Sequence, residues 1–466
     1  VVDNFHIGVQ NVQAASDPAE LEYTVDVGPV TGTITANYVY ASFFNPSGSG
    51  RTAVIKRIAV KANAVAAANY VNLSVRRTTA ASAGTQITAA DIPKKNNSSS
   101  NSVIEVRHTG ATVTLAGTVD SRIMGQPMPG AAGQFYSYRD ITFGTNDEKL
   151  IIKPGEGVAV YQEAAGDADQ RIRAYFEWEE VSSAPSAQEE FLFAFPRVEV
   201  AATANYVYNS FFNPAASGKT AAVKRIWFGA ETCDTTAVYT NNISLRRITA
   251  ASGGTAITAS NVPKKNTSSA NSAMDFRRSG PTVTLAGTAE ARLGIVTPCA
   301  AAGQPHGFQM LNFNDGDEKL ILQQGEGIAL ISENTGDIDQ LVRMVVEWDE
   351  VASASTPASQ GEYLFAFHKI SNEALAPALN TTFYTFFNPS GSGKVAVVKR
   401  LGIRNNADAA ATYSAFNWRR LTAASGGTQI TATDIMKKHS ATSNSAMQLR
   451  SCGVACATAI SATYAG

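Results

Sequence analysis

The sequence predicts an all-β protein, a tandem row of jelly-roll-like antiparallel β-sandwich domains, on three observations. First, the chain repeats itself. Tyr38-Val39-Tyr40-x-Ser42-Phe43-Phe44-Asn45-Pro46 returns at 206–214, and its second half returns at 386–389. Arg76-Arg77 recurs as Arg246-Arg247 and Arg419-Arg420, and Trp178 recurs as Trp348. The step of about 170 residues is the size of a whole domain and far longer than a solenoid unit. Second, the period within a copy is two. Val71, Leu73 and Val75 alternate with Asn72, Ser74 and Arg76. Third, turn words such as Asn45-Pro46-Ser47-Gly48-Ser49-Gly50 and Pro154-Gly155-Glu156-Gly157 separate the apolar runs. About eight short antiparallel strands per copy is the count of a jelly roll, with other Greek-key sandwiches as the alternative.

Taken in order, residues 1–29 lack the aromatic opening strand that 191–195 and 363–367 supply to the later copies, and are expected as an N-terminal arm. Repeat one spans 30–182, repeat two 190–352 and repeat three 361–466. Ser182-Ser183-Ala184-Pro185-Ser186 and Ser353-Ala354-Ser355-Thr356-Pro357 read as short linkers. In the last strand of repeat one, Ile172, Ala174, Phe176 and Trp178 share one face, opposite Arg171, Arg173, Glu177 and Glu179. Repeat two sets Val342, Met344, Val346 and Trp348 against Arg343, Glu347 and Asp349. One wet and one dry face is expected for each. Repeat three is incomplete at its C-terminus, because strands equivalent to 319–331 and 341–348 are missing. A sandwich without them exposes edges and an open core. Either the chain continues past Gly466 or a neighbouring molecule supplies them. The start at Val1, not Met, favours the first.

Composition narrows the function classes. With 38 basic against 39 acidic residues and only 17% charged, nothing points to nucleic acid or to an anionic membrane as a partner. No apolar run reaches the 18 or so residues of a membrane-spanning helix. Cys233, Cys299, Cys452 and Cys456 occupy no shared place in the repeats. They imply neither a disulfide framework nor a zinc site.

The constellations that resemble chemistry have structural counterparts. Ser217-Gly218-Lys219-Thr220 mimics the end of a phosphate loop, but Asn213 stands where that motif needs Gly and a strand follows where it needs a helix. A hairpin turn accounts for it. His6, His108, His306, His368 and His439 match no histidine in another copy, and read as isolated solvent-facing loop residues. Asp167 and Asp169 recur as Asp337 and Asp339 in acid-rich loops. Such loops gather oxygens around calcium, and Asx-rich turns explain the same residues. Glu177, Glu179 and Glu180 share a strand with no second acid implied opposite. No catalytic residue and no cofactor is expected.

Lys94-Lys95, Lys264-Lys265 and Lys437-Lys438 recur, as do Lys56-Arg57, Lys224-Arg225 and Lys399-Arg400. Aromatic residues do not interleave with the lysine pairs as a single-strand nucleic-acid platform requires. They read as solvated loop charge, or as partners for acidic patches such as the last strand of a neighbouring subunit. Lys56 shares a face with Val54, Ile58 and Val60, and is expected to snorkel at a sheet edge. Tyr38, Tyr40, Tyr206 and Tyr208 are the interface candidates, since their rings offer large area at low entropy cost. Filling the core of their own domain is the other reading.

The words Phe-Phe-Asn-Pro-Ser-Gly-Ser-Gly-Lys (43–51, 211–219 and 386–394, departing at Arg51 and at Ala215-Ala216), Val-Lys-Arg-(Ile/Leu), and Arg-Arg-(Ile/Leu)-Thr-Ala-Ala-Ser-Gly-Gly-Thr (76–85, 246–255 and 419–428, departing at Thr78 and Ala83), with Gly-Glu-Gly at 155–157 and 325–327, are the most particular. They resemble modules of uncharacterised virion structural proteins of tailed bacteriophages. That resemblance implies a surface or appendage component of a virus particle, located in the virion, and carries over no catalytic residue. The expected role is non-enzymatic: a fibre, or a decoration of capsid or tail, assembled from identical subunits with other virion structural proteins. Host surface glycans are a further candidate partner. The alternative is a cell-surface filament or adhesin subunit, carbohydrate-binding through its loops. A glycan depolymerase is disfavoured, because no acid pair recurs at plausible spacing.

Overall fold

The computed structural model describes residues 21–31, 35–63, 72–95, 100–127, 137–143, 149–165, 170–199, 203–231, 242–296, 308–313, 319–335, 341–353, 361–367, 382–401 and 421–460. The chain forms two compact units. One holds 1–116, 126–187 and 265–268; the other holds 117–125, 188–264 and 269–466.

The first repeat runs through β1 (Leu21–Thr31), β2 (Val39–Asn45), β3 (Thr52–Asn63), β4 (Asn72–Ser82), β5 (Thr85–Ile87), β6 (Glu105–His108), β7 (Thr112–Leu115), β8 (Met124–Pro127), β9 (Ser137–Thr142), β10 (Leu150–Ile152), β11 (Glu156–Gln162) and β12 (Arg171–Val181). One sheet has the order β1-β12-β3-β10, with β9 also on β3; the other has β5-β6-β2-β11-β4-β7, with β8 also on β4. β9 faces 57–62 of β3 and β10 faces 53–55, so the two act as one interrupted strand. With β5, β6 and β7 set aside as additions, eight strands remain. Their order is first-eighth-third-sixth in one sheet and second-seventh-fourth-fifth in the other, which is the jelly-roll arrangement.

The second repeat repeats it with β13 (Glu190–Ala194), β14 (Val198–Glu199), β15 (Val207–Asn213), β16 (Lys219–Glu231), β17 (Ile243–Ile257), β18 (Asp275–Leu285), β19 (Gly294–Val296), β20 (Phe308–Asn312), β21 (Leu320–Leu322), β22 (Glu326–Ser332) and β23 (Leu341–Ala352). The orders are β13-β23-β16-β20, with β14 on β23 and β21 on β16, and β18-β15-β22-β17-β19. The third repeat contributes β24 (Tyr363–Leu364), β25 (Tyr384–Phe387), β26 (Leu421–Ile430), β27 (Met436–Lys437) and β28 (Gln448–Ile460). It lies in the same compact unit as the second repeat.

An N-terminal arm over 1–29 does not hold for its later part. β1 pairs along β12 from Leu21↔Glu180 to Thr31↔Arg171, so 21–31 is the opening strand of the first repeat. Glu22-Tyr23 stands where Glu190-Phe191 and Glu362-Tyr363 stand later. Residues 1–20 are outside the described residues.

The cores follow the period-two pattern. Tyr23 stacks on Trp178 at 5.4 Å between ring centroids, and Phe43 meets Trp178 edge-on. In the second repeat Phe191 stacks on Trp348, with Phe211 and Phe276 packed against the same indole. In β12 the wet and dry faces alternate as expected, and the same period carries Glu180 onto the dry face with Trp178, where it is buried. In β23 the expected wet face is covered: Arg343 and Glu347 are buried as well, Glu347 fully so beneath Arg225.

Tyr40 and Tyr208 are buried in their own domains and offer no surface to a partner. The Tyr40 hydroxyl donates to Gln162 Oε1 at 2.6 Å, which satisfies its polar end inside the core. Tyr38 and Tyr206 are half-buried and pack edge-on against them.

Candidate functional site

The Asn of each Phe-Phe-Asn-Pro word closes the turn that follows. Asn45 Nδ2 donates to the carbonyls of Arg51 (2.8 Å) and Ile152 (3.0 Å). Asn213 does the same to Lys219 and Leu322, both at 2.9 Å. The phosphate-loop mimic is this turn. Ser217 Oγ donates to Asn213 Oδ1 and accepts from the Lys219 N–H, and Gly218 takes the left-handed φ of 67°. Lys219 Nζ binds Glu189 at 2.7 Å.

The recurrent Lys-Arg pair follows on the third strand. β16 is bulged at Lys224, between the pairs Val223↔Trp348 and Arg225↔Glu347, and β3 is bulged at Lys56 in the same way. A bulge breaks period two and re-aims the side chain. Lys56 therefore does not snorkel at an edge. β3 lies between β12 and its partners β9 and β10, and Lys56 Nζ is paired with Glu22 and with Glu179 (2.8 Å). Lys224 is buried between Glu190 and Asp349 (2.9 Å). Burial works against its charge, but Asp349 and Glu190 outweigh burial and hold its pKa above the ordinary lysine value. Lys399 pairs with Glu362, the equivalent acid of the third repeat.

Glu180 and Glu350 form a second recurrent set. Glu350 accepts from the Ser272 hydroxyl, the Ala273 N–H (2.9 Å) and Trp348 Nε1 (3.0 Å). Glu180 accepts from Ser102 Oγ (2.6 Å), the Val103 N–H and Trp178 Nε1. Burial pushes both carboxyls above the usual range, against the pull of these bonds. Each ties a loop to the last strand.

The lysine pairs build the most elaborate set. Within the unit that holds repeats two and three, Arg247 Nη2 donates to the carbonyls of Ile321 (3.1 Å), Lys437 (2.9 Å) and Lys438 (2.9 Å). The Ile321 N–H donates to the Lys438 carbonyl at 2.8 Å, and Glu326 of the Gly-Glu-Gly turn lies 3.4 Å from the guanidinium. Lys438 Nζ sits 5.2 Å from the centroid of the Phe313 ring and pairs with Glu362 at 2.7 Å. Ser440 Oγ donates to Gln323, and Met436 joins the second repeat's core. The second repeat thus offers a socket, and the lysine-pair loop of the third repeat fills it.

The other unit contains the same socket, built by the first repeat and filled by 265–268. Arg77 donates to the carbonyls of Ile151 (3.1 Å) and Lys265 (2.8 Å), beside Glu156 at 3.5 Å. The Ile151 N–H donates to the Lys265 carbonyl at 2.8 Å. Lys265 Nζ lies 5.2 Å from the Phe143 ring, Thr267 Oγ1 donates to Glu156, and Lys153 Nζ bonds Ser268. A planar guanidinium suits this work, since its fork reaches several carbonyls at once. Burial lowers the pKa of Arg247, with Glu326 beside it pulling the other way; a guanidinium is not deprotonated in proteins, so the fork stays charged.

Solvated loop charge is therefore wrong for Lys265 and Lys438, which are buried. Lys95 does meet the acids of a last strand, but those of its own repeat: Glu177 at 2.5 Å, together with Glu22. His439 is buried, not solvent-facing, and its Nδ1 accepts from the Ala441 N–H. The calcium candidates Asp167, Asp169, Asp337 and Asp339 lie outside the described residues, as do Cys233, Cys299 and the side chains of Cys452 and Cys456. Among the described residues no cluster of three or more His, Cys, Asp or Glu is placed to hold a metal. Sequence reasoning assigned no role to Glu22, Glu190, Glu362, Phe143 or Phe313. The recurrence of the opening Glu-aromatic pair and of Phe143 as Phe313 before an acidic loop was the available signal.

No family model matches the chain, and no curated protein matches it. Among solved structures it is similar to that of broad bean stain virus, with 9% identity, 78% of this chain and 100% of that one covered, and a TM-score of 0.25. It is also similar to PNGF-II, with 9% identity, 66% of each chain covered and a TM-score of 0.21. Likeness at this level carries no assignment of function.

Proposed function

We propose that this chain is a non-enzymatic structural protein of a bacteriophage particle, a string of jelly-roll modules that forms a fibre or decorates the capsid or tail. The recurrence of one kind of socket with one kind of loop in it carries the reading. An Arg fork, an Ile main chain, a Gly-Glu-Gly glutamate and a Phe ring receive a lysine-pair loop in both complete repeats. Repetition of one such contact, once within each unit, favours a part built by adding like modules. The particle role itself follows from the resemblance of the repeated words, with identical subunits and other virion proteins as partners. Antibodies raised against the chain and gold-labelled are expected to decorate purified particles at regular positions. Label confined to the host envelope would refute the placement and support a surface filament instead. New reducing ends on incubation with host polysaccharide would refute the non-enzymatic part.

A further inference from the structure

Three neighbouring strands of the second repeat bring an amine and two carboxyls together out of reach of water. β23 lies between β13 and β16. Glu190 stands directly opposite Asp349 across the β13–β23 ladder, and the bulge of β16 aims Lys224 at both. Lys224 Nζ is 2.9 Å from Asp349 Oδ1 and pairs with Glu190 Oε1. The side chains of Lys224 and Glu190 are 2% and 3% exposed, and that of Asp349 15%. Lys319 Nζ holds the other Asp349 oxygen, Oδ2, at 2.7 Å.

The first repeat fills the same places differently. Lys56 meets Glu22 and Glu179, with side chains 25%, 16% and 30% exposed, and Glu179 is the longer acid in the place of Asp349. That set is an ion pair open to water, of modest worth. Sealing the same charges away in the second repeat adds little stability, because the cost of desolvation offsets the attraction. The sealed geometry suits a reaction between them.

We propose that Lys224 and Asp349 condense into an intramolecular isopeptide bond, with Glu190 as the proton carrier. The ammonium gives a proton to Glu190, which turns two buried charges into a neutral amine and a neutral acid. Glu190 passes that proton to Asp349 Oδ1. The Nζ lone pair attacks Cγ, the carbonyl electrons move onto Oδ2, and Lys319 stabilises the oxyanion. Glu190 then takes a second proton from the nitrogen and delivers it to Oδ1, which leaves as water while the C=O re-forms. Of the three ammonium protons, one stays on the amide and two leave in the water, and Glu190 ends as the carboxylate it began as. No co-reactant is required. Holding the amine against the carboxyl replaces a collision between separate molecules, and closure against water protects the product amide from hydrolysis. The reaction occurs once per chain, without turnover, and is independent of placement in a virion.

The test is the mass of the full purified chain in denaturant, expected to fall short of the sequence mass by one water. Trypsin is expected to release a branched peptide joining 220–225 to 344–369, because an acylated Lys224 is no longer cleaved. Lys56 is expected to remain unlinked. Glu190→Gln and Lys224→Arg are each expected to restore the full mass, and the parent chain decides the matter if either fails to fold. A parent at full mass that yields 220–224 and 344–369 as separate peptides overturns the proposal. So does a bond at Lys56 with Lys224 unlinked. A bond that persists in Glu190→Gln overturns the role of Glu190.

Discussion

Replacing Arg247 by Met removes the guanidinium that ties the socket of the second repeat to its loop, while keeping an apolar stem of similar reach. Three carbonyls share that guanidinium: Ile321, Lys437 and Lys438. The Lys438 oxygen keeps the Ile321 N–H as a donor. The Ile321 and Lys437 oxygens lose the fork. A buried polar group left without its partner costs about 1–3 kcal/mol, so two give about 2–4 kcal/mol once some relaxation is allowed. Glu326 also loses its cation, but it is partly exposed and adds little. The loss should appear locally. Hydrogen exchange resolved to peptides covering 319–322 and 434–442 is expected to speed up by a factor of about 30 or more, as 2 kcal/mol requires. Peptides covering 150–152 and 265–268, which belong to the other socket, serve as the internal control. Unchanged exchange at 319–322 would refute the assignment of Arg247 as the tie. Arg247→Lys is expected to rescue little, because an ammonium does not span three carbonyls as a planar fork does.

Three further outcomes follow from the same coordinates. Because burial raises the Glu350 carboxyl above its unfolded value, its charged form is penalised in the folded state, and stability falls as pH rises through the folded pKa. The penalty vanishes below the unfolded carboxylate value, where both states are protonated. Glu350→Gln removes this ionisation and is therefore expected to flatten the decline between acid and neutral pH, while its amide nitrogen, which cannot accept from the Ala273 N–H, lowers the midpoint at acid pH; an undiminished decline would contradict this. Asn213→Ala removes donors to two carbonyls and is expected to cost about 1–3 kcal/mol in urea unfolding. Asn388→Ala removes the exposed bond to Lys394 and is expected to cost measurably less; equal losses would sink the comparison. Gly327→Ala places a Cβ 2.5 Å from the Phe211 carbonyl, so the β15–β22 pair must part, and a loss at or above the usual overpacking range of about 1–3 kcal/mol is expected. A fully stable variant would show that this pair yields easily.

Much of the fold was legible from local pattern. Strand period, turn words and the spacing of repeats are properties of short stretches, and they gave the all-β sandwich class. The opening strand at 21–31 escaped because Leu21-Glu22-Tyr23-Thr24-Val25 has one aromatic where 191–195 has three. What marks it as the same element is its ladder with β12, a pairing across some 150 residues. Lys56 escaped for a different reason. Face assignment assumes an unbroken period of two, and one bulge changes which way a lysine points.

The sequence by itself determined that this is a row of like β-sandwiches with recurrent basic pairs. These follow from residue types and spacing, which survive without knowledge of neighbours. Only the tertiary structure decided what the recurrent charges do. Arg247 becomes a tie, Lys224 a buried ion and Glu350 a loop anchor once elements far apart in the chain place carbonyls, carboxylates and an indole around them. The physical reason is that hydrogen bonds and desolvation act over a few ångströms of space, and sequence distance does not encode which groups will share that space.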